Sequence, residues 1–175
     1  MNESREEAKE AKVLISETSN LDEEAIGKII LDCAFKVHTA LGPGLLESVY
    51  ESALASELTR RGLTVGRQKP IPVIYEGEAL DVAFRADIIV EGKVLVELKS
   101  VETVLPLFKK VTTSYVRLIP LKLGFLINFN EVHLKNGITR ITNGLEGKPF
   151  FNKLAGSVDL HLQNPSQPSH PSRDA

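Results

Sequence analysis

A chain of 175 residues, 42% hydrophobic and 25% charged, is long enough for one domain with its own core and one or two tails, and its balance is that of an ordinary globular protein. Its one cysteine, Cys33, excludes an internal disulfide and a cysteine-based zinc site, and fits a reducing, cytoplasmic setting. No stretch approaches the roughly 18 to 20 apolar residues that span a bilayer, so no membrane role is expected, and the net charge of -2 does not by itself point to nucleic acid.

Residues 1–19 read as an acidic, flexible arm, which opens MNESREEAKEAK and has no apolar signal-peptide core. Residues 1–24 carry three bases and eight acids, so the remainder holds 18 bases and 15 acids, a mild excess far from a histone-like surface. Residues 20–147 read as the folded domain and 148–175, ending QNPSQPSHPSRDA, as an extended to disordered tail.

Within the domain, Asn20 is a candidate helix cap, with Glu23 three residues on as a capping box requires. Ile26, Ile29, Ile30, Cys33 and Val37 then follow helical spacing, and the helix should stop near Leu41 at Gly42-Pro43-Gly44. A second helix is expected from about Leu45 to Arg61, with Val49, Ala53, Leu54 and Leu58 on its buried face.

Residues 64–75 contain Pro70 and Pro72, which confines them to an edge or irregular strand. Glu76-Gly77 reads as a turn, 79–84 and 86–90 as extended segments, and Glu91-Gly92-Lys93 as the reversal into a central strand, Val94–Lys99. A helix follows from Pro106 to about Leu118, then an apolar strand from Leu123 to Phe129, and Asn136-Gly137 marks a late hairpin. The element order gives an α/β domain, a mixed sheet flanked by helices.

Three charges stand where charges are costly. Asp87 lies in Phe84-Arg85-Ala86-Asp87-Ile88-Ile89-Val90, and Glu97 and Lys99 lie in Val94-Leu95-Val96-Glu97-Leu98-Lys99. Glu97 and Lys99 share a strand face. If the hairpin turns through residues 91–93, Val90 faces Val94 and Asp87 lies opposite Glu97; a two-residue turn would part them. Two close carboxylates repel when both are ionised, and a hard divalent cation, Mg²⁺ or Mn²⁺, resolves the repulsion and can activate a water. A structural salt bridge of Lys99 with Glu97 or Asp87 meets the same spacing, and the spacing alone does not choose between the two.

These residues resemble the PD-(D/E)XK nuclease superfamily, and within it the GxxExxY family. Gly44-Leu45-Leu46-Glu47-Ser48-Val49-Tyr50 matches the latter's motif letter for letter. Val37-His38, Leu41-Gly42-Pro43-Gly44, Arg85-Ala86-Asp87, Glu97-Leu98-Lys99 and Leu123-Gly124-Phe125-Leu126-Ile127-Asn128-Phe129 add further blocks in order, so the resemblance covers about residues 25–145. It implies a restriction-endonuclease-like αβββαβ core. It also implies that Asp87, Glu97 and the Leu98 carbonyl bind Mg²⁺ or Mn²⁺, that Lys99 positions the water, and that Glu47 reaches the metal directly or through water. Without it, Glu47 is simply a solvated neighbour of a packed Tyr50. The chain departs from the family on the helix after the Glu-x-Lys strand, where Phe108 and Val111 replace a His and a Gln that help place water or substrate.

His38, Tyr50 and Glu102 are candidates for residues just behind the ligands, although a buried hydrogen-bonding histidine and an exposed glutamate are the simpler readings. Cys33 reads as core, and His133, His161 and His170 have no metal-ligand spacing. Lys109, Lys110, Arg117 and Lys122 read as a phosphate track or, more simply, a solvated face. The functional expectation is a metal-dependent nuclease that hydrolyses phosphodiester bonds in DNA or RNA. Its rivals are a nuclease-fold module that binds nucleic acid without turnover and a structural domain for a protein partner. A homodimer is left open.

Overall fold

The computed structural model describes residues 21–145 and 158–159. The arm expected over 1–19, and the tail expected over 148–175 apart from residues 158 and 159, lie outside the described residues. Helix α1 (Glu23–Leu41) is capped by Asp22, whose Oδ1 accepts the Ala25 N–H at 2.7 Å. The expected cap, Asn20, lies outside the described residues. Asp caps as well as Asn and adds negative charge at the positive end of the helix dipole, where Glu23 and Glu24 also stand. The helix stops at Gly42, which takes a left-handed φ of 69° and donates its N–H to His38 O at 2.8 Å.

Helix α2 (Glu47–Arg60) buries a stripe of Tyr50, Leu54 and Leu58, spaced by four. The expected face is therefore off by one position at its start. Val49 is 40% exposed and Tyr50 is fully buried, because the larger ring is the one that fills the gap beneath the helix.

The strands are β1 (Val65–Tyr75), β2 (Glu78–Val90), β3 (Val94–Lys99), β4 (Leu123–Asn128), β5 (Ile138–Thr142) and β6 (Val158–Asp159), in one sheet of order β1-β2-β3-β4-β5-β6. The two extended segments expected over 79–90 are a single strand. Strand β1 is an edge, as its prolines require. Strand β3 pairs antiparallel with β2 and parallel with β4, and α3 (Pro106–Leu118) makes the crossover. Val90 pairs with Val94, so the β2–β3 turn has the three-residue form.

Alternate residues of β3 serve two cores. Val94, Val96 and Leu98 join α1 and α2 in the larger cluster, whereas Leu95 faces α3 with Tyr115, Val116 and Ile141. Glu97 and Lys99 share the parity of Leu95, so the charged residues are on the α3 side, near the C-terminal end of β3. Cys33 is buried core, and burial pushes its thiol up. Among the described residues no helix is long and apolar enough to cross a membrane.

Asn136-Gly137 lies in the connection of an antiparallel β4–β5 hairpin, as expected, but is not itself a two-residue turn. Both belong to a 3₁₀ turn, Leu134–Gly137, that leads into β5. Gly137 is required for a different reason: a Cβ there would stand 2.4 Å from the Asn128 carbonyl oxygen. Asn128 in turn clamps the chain after β3, its side chain accepting the Val101 N–H at 3.0 Å and donating to Val101 O at 2.8 Å. Replacing Gly137 with Ala should push β4 and β5 apart at this point. A loss of about 1–3 kcal/mol is expected in urea unfolding, with Gly144→Ala, whose φ of 68° makes it a test of backbone strain outside the clamp, as the comparison.

Candidate functional site

The site is built where β2 and β3 separate. Their ladder ends at Ile88 and Val96. The next main-chain donor, Leu98 N–H, finds the Asp87 side chain instead of the opposite backbone, with Oδ2 at 2.8 Å. Continuing the register sets Asp87 against Glu97, as the three-residue turn implies. The end of β3 stays tied to the strand on its other side: Phe129 N–H donates to Lys99 O at 2.7 Å.

Lys99 Nζ sits among oxygens. It donates to Leu98 O at 2.6 Å and Glu97 Oε1 at 3.1 Å, and pairs with Glu47 Oε1 at 3.5 Å. Glu47 is the first residue of α2 and comes round the end of the sheet to reach it. The loop before α2 is anchored on both sides. Tyr50 Oη donates to Gly42 O at 2.6 Å and accepts Leu45 N–H at 3.1 Å, while Ser100 Oγ donates to Leu45 O at 2.6 Å. The Tyr50 ring stacks on Phe129 with centroids 4.5 Å apart.

The electrostatics are those of too many anions for one cation. Burial, then the Asp87 carboxylate, push Glu97 up to about 7, against the pull of Lys99. Burial also raises Asp87 and Glu47. Burial lowers Lys99, but Glu97, Glu47 and Asp87 together overcome it and raise it, so the ammonium stays charged. Glu97 is 6% exposed, and its Oε2 is buried with no hydrogen-bond partner among the described residues.

This donor set suits a hard divalent cation. The carboxylates of Asp87 and Glu97 and the Leu98 carbonyl offer hard oxygen donors, and Glu97 Oε2 accepts no hydrogen bond among the described residues. Among the described residues no three His, Cys, Asp or Glu side chains already stand together as a metal cluster; the Lys99 ammonium is set between Glu97 and Glu47.

The other candidates are placed as follows. His38 Nε2 lies 2.7 Å from Glu131 O, so it is a hydrogen-bonding histidine as expected, although half-buried and not buried. Tyr50 supports the Glu47 loop. Glu102 is exposed and joins none of these contacts. Phe108 lies beneath the ammonium, with Lys99 Nζ 5.7 Å from its ring centroid, whereas Val111 packs into the α3 core. Lys122 stands at the start of β4, opposite the site, and pairs with Glu23 at 3.8 Å, so it continues no phosphate track.

Three residues at the site went unread in the sequence. Glu51, one turn after Glu47, is buried and adds to the negative field on Glu47 and Asp87; its i+4 spacing is the signal that could have found it. Gln68 touches both Glu51 and Asp87. Tyr115, on α3, is pushed up by burial and then by Glu97, which puts its phenol in the same field.

A family model described as PD-(D/E)XK nuclease superfamily matches residues 24–141, from the first turn of α1 into β5. The six-stranded mixed sheet with helices on its faces agrees with that superfamily's restriction-endonuclease-like fold. No curated protein and no solved structure gives a significant match to the chain.

The raised acid at Glu97 has a pH signature. Between 4.5 and about 7 the folded chain keeps a proton that the unfolded chain releases. Stability in the presence of chelator should therefore fall as pH rises through that window, by an amount on the order of 3 kcal/mol at most. Glu97→Gln keeps the shape of the neutral acid. It should unfold like the wild type at pH 5 and be the more stable protein at pH 8; equal pH slopes for the two in urea unfolding would contradict the assignment.

Proposed function

Since the chain belongs to the PD-(D/E)XK nuclease superfamily, we propose that it is a metal-dependent nuclease, hydrolysing phosphodiester bonds of DNA or RNA with Mg²⁺ or Mn²⁺ at Asp87 and Glu97. The observation that carries the reading is the uncompensated charge of the site. Asp87, Glu97 and Glu47 surround a single ammonium, and a divalent cation would balance the excess. The stretch Gly44–Tyr50 supports a finer assignment, to the GxxExxY group. The single buried thiol fits a reducing compartment, and we place the protein in the cytoplasm.

In this reading Asp87, Glu97 and the Leu98 carbonyl hold the ion. The ion, when bound, neutralises phosphate charge and makes a bound water more acidic. Leu98 O accepts from Lys99, so if that carbonyl held a cation the ammonium would be free to turn toward the water or the scissile phosphate. Lys99 then orients the attacking water and offsets charge developing on the phosphate. Glu47, with its carboxyl raised by burial, can accept the proton that the water loses. Phe108 offers the ammonium a ring face and no hydrogen bond, so Lys99 keeps its donors for oxygen.

A second reading is favoured by that same helix. With Phe108 and Val111 where the related family has His and Gln, α3 gives the water no polar partner at those two positions. A module that binds nucleic acid without cleaving it would look the same at Asp87 and Glu97.

Two measurements decide between them. Cleavage of single- and double-stranded DNA and RNA should require Mg²⁺ or Mn²⁺ and stop with chelator. Asp87→Asn and Glu97→Gln should lose cation binding and cleavage together, by calorimetry and by gel. Lys99→Ala removes a positive charge beside the cation, so affinity for Mn²⁺ should hold or rise while turnover falls by about 10²-fold or more. Nucleic-acid binding without any cation-dependent cleavage would establish the second reading, and absence of both cation and nucleic-acid binding would exclude the two together.

A further inference from the structure

Gln68 has a backbone that its strand does not account for. It lies in β1 with φ 49°, in the left-handed region. Among the described residues, the other two non-glycine positions with positive φ, Glu76 and Glu91, stand in turns beside Gly77 and Gly92. Arg67 pairs with Ile88 and Lys69 with Ala86, so Gln68 is the residue bracketed opposite Asp87. Strain held within a strand, beside a candidate ligand, calls for a chemical reason.

The side chain supplies one. Gln68 Nε2 donates to Glu51 Oε2 at 2.7 Å and to Asp87 Oδ1 at 3.4 Å. Arg67 Nε takes the other Glu51 oxygen at 2.8 Å, and Arg67 Nη2 donates to Ser52 Oγ at 3.0 Å. Asp87 Oδ2 is already fixed by Leu98 N–H. Each oxygen of Asp87 therefore has its own donor, one from the main chain of β3 and one from Gln68.

We infer that Gln68 is a positioning residue, whose amide, steadied by Glu51, holds the plane of the Asp87 carboxylate for the cation. The inference rests on Asp87 being a cation ligand. An amide suits this place better than a cationic side chain. It has two N–H groups, one for each of two carboxylates that would otherwise repel, and it leaves the charge of Asp87 intact for the metal. Lysine or arginine at the same position would neutralise Asp87 and compete with the ion.

Glycine separates the two roles of position 68. Gln68→Gly relaxes the left-handed backbone and deletes the amide. Its melting temperature should exceed that of Gln68→Ala, which loses the same amide but keeps a Cβ on the left-handed backbone, while its Mn²⁺ dissociation constant by calorimetry rises about 10-fold over the wild type, as loss of a group behind a ligand does. Gln68→Asn, which tolerates the backbone and keeps a shorter amide, should fall between Gln68→Gly and the wild type in that constant. Undiminished Mn²⁺ affinity in Gln68→Gly overturns the inference. A readout that needs no metal accompanies it. In cation-free protein, the Asp87 carboxyl carbon should shift in Gln68→Gly, and the Gln68 amide protons should exchange slowly and move in Glu51→Gln. If neither occurs, the amide holds nothing and the inference fails. If both occur but the wild type binds no Mn²⁺, the metal reading fails and the anchoring of Asp87 stands.

Discussion

Carboxylates repel one another most where water cannot intervene, and this chain packs three of them round one lysine at the end of a buried strand. Glu97 is the extreme case: it is buried, its neighbour Asp87 is a carboxylate, and one of its oxygens has no hydrogen-bond partner among the described residues. Such a group tends to drive its surroundings apart unless each neighbour is held by something else. The rest of the fold can be read as those holds.

Asp87 is held by the main chain of β3, Lys99 by the bond from Phe129 to its own carbonyl, and Glu47 by the Tyr50 hydroxyl and by Ser100. Each hold links the site to a different element. Tyr50 is at once the largest side chain in the α1–α2 core and the fastener of the loop that carries Glu47, so packing and chemistry are joined in one residue. Asn128 does the same for the turn after Lys99, and the glycine at 137 exists to let that asparagine's carbonyl pass. The cost of crowding the anions is thus spread over contacts whose own burial is favourable.

How much of this could be read beforehand follows from where the information lies. Asp87, Glu97 and Lys99 were legible because a single local feature, the turn at residues 91–93, sets their register. Glu47 was visible only through the likeness of Gly44–Tyr50 to a known motif. Gln68 was hidden by an irregularity. The turn at Glu76-Gly77 pairs Tyr75 with Glu78 and Ile74 with Ala79, a register that would bring Gln68 opposite Arg85. Between Pro72 and Ile74 the ladder advances two residues on β1 against four on β2, and Gln68 moves opposite Asp87. No local pattern announces that step. Val49 was mistaken for core because both it and Tyr50 are apolar, and only the partner, Phe129, decides which one is swallowed. Asn136-Gly137 reads as a hairpin signal, and the β4–β5 hairpin is there, but the demand for its glycine comes from Asn128, a neighbour nine residues away in sequence.

The prolines of β1 have a consequence for the company the protein keeps. A strand at the rim of a sheet offers its unpaired amides to any other extended chain, and that offer is how many proteins stick to themselves. Pro70 and Pro72 are two apart in β1, so their nitrogens lie along the same side, and since each faces a β2 residue in the ladder that side is the outer one. Two successive docking points on the rim are therefore mute. A growing or partly unfolded copy finds no continuous row of donors beside β1, and the margin of the sheet that adjoins Asp87 stays clear for a ligand of another kind.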